Sequence, residues 1–503
     1  MDLRYKFWLL ALGTVGTIAA IIGGLCVHFW FNLSLEAQQL IKTLLMDSAG
    51  LFFLVCLFLT IGVLFILNEV FQHYVLPLNK LTEETALIAS VNPSHRISIH
   101  GYKEINLLAQ RINEAAARLQ DMQETIDREV EEQVRHNPEK LMLNSILEHV
   151  PYGLMLCDRQ GRILLYNAKA REYISSEETQ ACGHLGLGKS VFSLIRLFHG
   201  DEDAEAFFAI ELGGPPQQTR FQLSAAKERL LQIDLRPISA LPHQSSGFLL
   251  IMQDITPSQP EALRIEGLET PVGEPRSCYD PRLLEQSLDS FTMEEKLLGE
   301  LACTVFDTET TGLNPKTDEI ISLSGVRILN GNLIYEESFN QLIEPRIPVP
   351  EAATRVHGLT SENLKGKPPL EEVLPCFFSF AKDTVLVAHC AYFDLLFLQA
   401  AEKRTGIRFN NPVLDTLLLS SLVHSSEKDH ELECIATRMG TTLYARHTSL
   451  GDAMTTAEIF LKLVPLLQQK GIQTLGQALQ ASERIKNTVS YSPFAGQTSL
   501  QTC

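Results

Sequence analysis

The chain has 503 residues, 45% of them hydrophobic, with 42 Lys and Arg against 60 Asp and Glu and a formal net charge of −18. That length exceeds a single domain, and that apolar content fills several cores and excludes a disordered chain. The acidic balance excludes tight duplex binding through a broad basic surface, and ten cysteines without a Cys-x-x-Cys pair argue for reduced cytosolic thiols over a disulfide framework.

The first element is apolar and long. Phe7 to Phe31 contains no Asp, Glu, Lys or Arg, and neither does Ala49 to Leu67; each is long enough for a hydrocarbon layer of about 30 Å. A cleaved leader is the rival for the first stretch, but its length and the presence of the second favour a two-helix membrane anchor over residues 1–70. Arg4 and Lys6 precede the first span, whereas the loop Asn32 to Ser48 has one Lys against Glu36 and Asp47. Positive charge stays on the cytoplasmic side. The expectation is a multi-pass protein of the cytoplasmic (inner) membrane, with both termini and everything after the second span in the cytoplasm.

From Pro77 the pattern turns amphipathic. Pro77 to Val91 and Glu104 to Leu119 carry apolar stripes at helical spacing, separated by a polar connector through Gly101. Placed directly after a membrane span, residues 71–125 resemble a HAMP linker, including the acidic residue that opens the second helix. The resemblance implies a parallel two-chain four-helix bundle and therefore a homodimer; an ordinary helical hairpin is the plainer alternative. Residues 126–141 read as a connecting helix.

Ile146 to Cys157 leads through the polar turn Asp158-Arg-Gln-Gly161 into Arg162 to Asn167, and two short apolar strands around that turn predict a hairpin. With further strands at Leu230 to Pro237 and Gly247 to Asp254, residues 142–257 resemble an α+β PAS sensor domain. Such domains hold very different ligands, so the PAS ligand is left unassigned. His149, His184, His199 and Cys157 read as core or surface residues. Five prolines between Pro257 and Pro281, with Gly267 and Gly273 among them, mark residues 258–298 as a linker that lets the two flanking parts move.

The most informative segment follows. In Cys303-Thr-Val-Phe-Asp-Thr-Glu-Thr-Thr-Gly312 an apolar run ends with Asp307 and Glu309 two apart, which on a strand puts both carboxylates on one face. Such acids repel each other unless a cation lies between them, and hard divalent ions with oxygen ligands fit. A third acid, Asp394, ends Val385-Leu-Val-Ala-His-Cys-Ala-Tyr-Phe-Asp394. A fourth, Asp452, opens a helical run after His447-Thr-Ser-Leu-Gly. Five helical positions would turn His447 away from Asp452, so His447 belongs to the loop before that helix. His357, His389, His424 and His430 read as cap, loop or core residues.

Phe306 to Leu313, Ala388 to Asp394 and His447 to Asp452 resemble, in order and spacing, the three motifs of DEDDh 3′–5′ exonucleases, with the nearest likeness to the epsilon subunit of bacterial DNA polymerase III. Arg355-Val-His-Gly-Leu-Thr360 and Val413 to Ser420 also look like family segments. The resemblance covers about residues 299–470 and implies an α/β ribonuclease H-like domain with a mixed sheet, followed by a C-terminal helix and tail over 471–503. It further implies two divalent metal ions, Mg²⁺ or Mn²⁺: Asp307 bridges them, Glu309 and Asp452 complete the first, and Asp394 holds the second. His447 would take the proton from the attacking water, and Thr310, Thr311 and Leu313 would approach the terminal nucleotide, although a Thr-Thr-Gly turn needs no functional explanation. Many relatives carry Asn where this chain has Cys390, so a bond that steadies the second motif is missing or replaced.

The reading that combines these parts is a membrane-anchored 3′–5′ exonuclease acting on single-stranded or frayed 3′ ends of DNA, regulated by its HAMP-like and PAS-like segments. The alternatives are an exonuclease directed to RNA and a non-catalytic signalling scaffold that binds nucleic acid. No polymerase domain is visible, and a polymerase partner is left unassigned.

Overall fold

The computed structural model describes residues 3–35, 37–39, 41–42, 49–98, 102–135, 147, 149–174, 185–196, 198–200, 207, 219–225, 229–238, 247–256, 278–279 and 292–486. His184, most of the expected linker and the tail from Asn487 lie outside them.

The chain divides into two compact units, the first comprising Met1–Ala89 and Pro93–Gln120. Here α1 (Leu3–Phe31) and α2 (Ala49–Val70) are the apolar helices, and α2 continues through a π-helical turn at Phe71–Val75 into α3 (Leu76–Ser90). Two stretches, Phe7–Phe31 and Leu57–Ser90, are long and apolar enough to cross a membrane, with mean hydropathies of 2.1 and 1.5. The amphipathic helices pair as their stripes require: Leu81 and Ile88 of α3 bury with Ile105, Ala109 and Ala116 of α4 (Lys103–Arg135). The connector between them is pinned by Asn113, whose amide accepts from Ile97 N–H at 2.8 Å and donates to Ile97 C=O at 3.0 Å. The expected connecting helix is the continuation of α4 as far as Arg135.

The second unit holds both sheets. β1 (Gly153–Asp158) and β2 (Ile163–Tyr166) form the expected hairpin, with Gly161 at φ 77° and Asp158 accepting from the N–H groups of Gln160 and Arg162. After the short helices α5 (Ala168–Ile174) and α6 (Val191–Ile195) come β3 (His199–Gly200), β4 (Thr219–Ala225), β5 (Arg229–Ile238) and β6 (Gly247–Asp254). The sheet is antiparallel, in the order β3-β4-β5-β6-β1-β2-β7. Its seventh strand, β7 (Cys278–Tyr279), lies inside the expected linker and pairs with β2. Alternate residues of β4, β5 and β6 close over Phe192, Phe207, Phe221 and Phe248. Cys157 is fully buried in this core, where burial pushes its thiol well above the usual range; His149 is exposed.

The other sheet has the order β10-β9-β8-β11-β12. β8 (Ala302–Thr310), β9 (Ile320–Leu329) and β10 (Asn332–Leu342) are antiparallel neighbours, and Asn330 and Gly331, both at positive φ, make the tight turn that their sequence predicts. Three helices follow, α7 (Glu351–His357), α8 (Ser361–Leu364) and α9 (Leu370–Ala381). β11 (Val385–Ala388) then runs parallel to β8, and after α10 (Tyr392–Thr405) β12 (Val413–Asp415) runs parallel to β11, giving the expected mixed sheet. The last helices are α11 (Thr416–Val423), α12 (Leu432–Met439), α13 (Ser449–Gln469) and α14 (Leu475–Lys486). Leu298 N–H bonds Gln473 C=O and Leu475 N–H bonds Lys296 C=O, so the segments just outside residues 299–470 pack onto one another.

Two expectations change. A freely hinged sensor and nuclease do not describe this fold, because Leu329 of β9 joins the apolar core of the first sheet, with Ala302 and Ile334 packed against it. Apolar surface at the turn end of the β9–β10 hairpin is thereby removed from water. Cys376 is disulfide-bonded, against the expectation of uniformly reduced thiols, whereas Cys26, Cys157, Cys303, Cys390 and Cys434 are free.

Candidate active site

The site lies where β8 meets the first turn of α13. Asp307 and Glu309 alternate with the buried Thr308, so both carboxylates leave β8 on one face, opposite Ser324 and Ser322 of β9. The Ser449 hydroxyl seats α13 on that face through Ser322 Oγ at 2.6 Å and Ser324 Oγ at 2.7 Å. Thr448 caps the helix by accepting from Gly451 N–H, and Asp452 comes one residue later, in the first turn. One oxygen each from Asp307, Glu309 and Asp452 lies within 4.8 Å of the others.

Asp394 completes the acidic set from α10. It is 3% exposed, and its Oδ1 accepts from the Thr308 hydroxyl at 2.5 Å and from Thr308 N–H at 3.1 Å. The structure therefore gathers all four sequence-predicted acids, three in one cluster and the fourth held against the back of β8.

Their electrostatics follow from crowding. Burial first, then Asp394, Asp452 and Glu309, push the Asp307 carboxyl well above the usual range. Burial, Asp452 and Asp394 raise Glu309 to about 8, and burial raises Asp394 to about 7 against the bonds from Thr308. Asp452 is also raised by burial, with Arg446 and His447 opposing the rise. Asp452 Oδ1 is buried with no hydrogen-bond partner, while Oδ2 accepts from Arg446 Nη1 at 2.5 Å. An orphaned buried carboxylate oxygen beside two further acids is a fit for a divalent cation, the ligand type that hard oxygen donors take.

His447 occupies the loop before α13, as its spacing from Asp452 predicts, with φ at 61°. Gly451 makes that loop possible: a Cβ there would stand 2.1 Å from Ala445 C=O. Only glycine lets the chain double back so closely over the helix start.

The turn after β8 is less available than its sequence suggests. Thr311 is 1% exposed and its hydroxyl accepts from Glu319 N–H, while the Thr310 hydroxyl donates to Gly312 C=O. Of the three residues expected to approach a nucleotide, Leu313 alone has an exposed side chain. His357, read from sequence as a cap, loop or core residue, is buried with its Nε2 lacking a hydrogen-bond partner, and burial, opposed by the Thr310 backbone, lowers its pKa with a smaller push from His447. His389 is the expected structural residue, bonded to Thr416 Oγ1, and burial lowers it to about 3.

Two contributors were not legible in the motifs. Asp415 accepts from the N–H groups of Cys390 and Ala391 at 3.1 and 2.9 Å, so the backbone turn before Asp394 is held from β12. Cys390 has φ 58°, a conformation that Asn enters more easily than Cys. The second is Arg446, whose position beside Asp452 needs the loop to be folded.

Residues 304–460 match the exonuclease family. The chain is 45% identical over 204 residues, 40% of its length, to a DNA polymerase III subunit epsilon-like protein of Rhodobacter capsulatus, of which it spans 29%. It is 39% identical over 184 residues, 37% of its length, to a PolC-type DNA polymerase III of Caldanaerobacter subterraneus, of which it spans 13%. Among solved structures, exonuclease X in complex with 5′-overhanging duplex DNA is 20% identical, with 36% of this chain and 99% of that one covered and a TM-score of 0.29. Residues 304–460 thus form a domain that matches the exonuclease family and is similar to parts of an epsilon-like and a PolC-type DNA polymerase III protein.

Proposed function

We propose that this protein is a membrane-anchored 3′–5′ exonuclease that removes nucleotides from single-stranded or frayed 3′ ends of DNA. The observation that carries the reading is the convergence of Asp307, Glu309 and Asp452 within 4.8 Å, with Asp394 behind them and the His447 loop beside them. Asp307, Glu309, Asp394 and Asp452 would hold two divalent ions, which when bound supply a nucleophile at neutral pH and stabilise the leaving oxygen. The chain's own residues do the rest. His447 takes the proton from the attacking water, the general-base role that an imidazole fills. The Thr308 and Arg446 contacts hold Asp394 and Asp452 in place, and the turn Thr310 to Leu313 borders the position of the terminal nucleotide.

DNA is favoured over RNA by the similarity to epsilon-like and PolC-type polymerase proteins. Anchoring by α1 and α2, with both termini in the cytoplasm, is supported by the charge asymmetry of the flanks and the two apolar stretches. A HAMP-like role for α3 and α4 is supported by their shared apolar seam, and dimerisation by the exposed Leu107, Leu108, Leu119 and Met122 of α4. Residues 142–257 act as the PAS-like sensor, a role supported by the antiparallel sheet around one apolar core.

The test uses the detergent-solubilised full chain on 5′-labelled single-stranded DNA and RNA with Mg²⁺ or Mn²⁺, with Asp307→Ala and chelator as controls. A ladder shortening from the 3′ end, absent from both controls, is the expected result. Absence of cleavage overturns the enzyme reading in favour of a scaffold, and faster loss of RNA transfers the substrate assignment to RNA.

A further inference from the structure

The pairing of β10 with β9 is interrupted. Ile334 faces Arg327 and Ser338 faces Val326, so Tyr335, Glu336 and Glu337 are extra residues opposite two consecutive positions of β9. Such insertions re-aim side chains. Glu337 is turned into the seam with the first sheet: it is 5% exposed, and its Oε1 accepts from Leu187 N–H at 2.5 Å and from the Tyr166 hydroxyl at 3.3 Å. Its Oε2 lies 3.3 Å from Arg327 Nε, and the half-buried Lys189 holds its Nζ 5.2 Å over the Phe380 ring. Gly186 closes the contact, since a Cβ there would stand 2.7 Å from Glu337 Oε2.

The other end of the same bulge reaches the active-site loop. Tyr444 donates to Glu458 Oε1 of α13 at 2.5 Å, and Tyr335 acts electrostatically on the same Tyr444 hydroxyl, helping Glu458 to push its pKa up. Tyr444 N–H bonds Thr455 Oγ1 at 3.2 Å, and Thr442 N–H bonds Glu458 Oε2 at 3.1 Å. Two and three residues beyond Tyr444 stand Arg446 and His447, the latter in a left-handed backbone conformation that a non-glycine residue keeps only when its surroundings enforce it.

We propose that Tyr444 is a positioning residue for His447, and that the Tyr335–Glu337 bulge ties it to residues 186–189 of the sensor, making the seam the route by which that domain sets nuclease turnover. The inference rests on the exonuclease reading above. It assigns to Glu337 the domain contact, to Tyr335 the link, and to Tyr444 the grip on the loop. Both ends of the bulge belong to one short backbone segment, so a shift at Leu187 is carried to Tyr335 without any change in the metal-binding acids.

The experiment is a set of double-mutant cycles in the full-length, solubilised chain, read as kcat and KM on a 5′-labelled single-stranded DNA with Mn²⁺. Tyr444→Phe should lower kcat roughly 10- to 100-fold, the scale of a small misplacement of a catalytic group, with KM unchanged. Glu337→Gln and Tyr335→Phe should each lower kcat, and neither should add to the loss in a Tyr444→Phe background. Tyr335 is exposed, so Tyr335→Phe keeps the test available should Glu337→Gln fail to fold. Multiplicative losses in both cycles, or an unchanged kcat in Tyr444→Phe, overturn the coupling. An inactive wild-type chain instead overturns the exonuclease reading, so the two failures are distinguishable.

Discussion

Arg446 donates from Nη1 to Oδ2 of Asp452 at 2.5 Å and from Nε to Glu433 Oε1 at 3.1 Å, a fork that leaves Asp452 Oδ1 buried with no hydrogen-bond partner. A single guanidinium thus fixes the orientation of a carboxylate that a metal ion would also use. Arg446→Gln should weaken Mn²⁺ binding by roughly 10- to 100-fold, the usual scale for loss of a group that orients a metal ligand. Calorimetric titration of the purified chain measures it; unchanged affinity would show that Asp452 is held adequately by its helix.

The crowded acids make the metal-free protein sensitive to pH in a defined direction. Asp307, Glu309, Asp394 and Asp452 all have folded-state pKa values above their unfolded values, with Glu309 at about 8 and Asp394 at about 7. The folded state therefore binds more protons than the unfolded state between the ordinary carboxylate range, near 4, and about 8, and stability falls as pH rises through that window. In chelator, the melting temperature should drop between about pH 5 and about pH 8, and Mg²⁺ or Mn²⁺ should restore most of the loss at the upper end. A melting temperature independent of pH would contradict the cluster.

His447→Ala separates catalysis from metal binding. Loss of a general base should lower kcat by about 10²- to 10⁴-fold while Mn²⁺ affinity stays close to wild type. Parallel loss of both would make His447 part of the metal site.

Gly451→Ala tests the close approach between the His447 loop and α13. A methyl group placed 2.1 Å from the Ala445 carbonyl must push the loop outward. The expected cost is about 1–3 kcal/mol of stability, typical of overpacking, together with a fall in kcat. Denaturant unfolding and single-turnover cleavage of the same preparation measure the two effects.

Asp415→Ala tests the support of the second motif. Removing the acceptor of the Cys390 and Ala391 N–H groups should cost about 1–3 kcal/mol and reduce turnover through Asp394. Cys390→Asn, which suits the positive φ of that position, should be neutral or stabilising.

Much of the site was legible because its signals are local. The two-residue spacing of Asp307 and Glu309, the strand ending before Asp394, the Asn330-Gly331 turn and the loop position of His447 all follow from backbone periodicity within a few residues. The apolar stretches and the paired amphipathic helices were readable for the same reason. What the tertiary structure decided are contacts between distant segments: Glu337 with Leu187, Asp415 with the turn at Cys390, and Tyr335 with Tyr444. None of these has a periodicity of its own, since each depends on which strand edge or loop the packing brings alongside. The inward placement of Thr311, the β7 pairing inside the expected linker and the seam where Leu329 enters the core of the first sheet arise in the same way. The sequence by itself determined which residues are candidates for the chemistry and on which elements they stand; the folded chain decided what holds them in place, because burial and hydrogen-bond completion are satisfied between elements that the chain order keeps far apart.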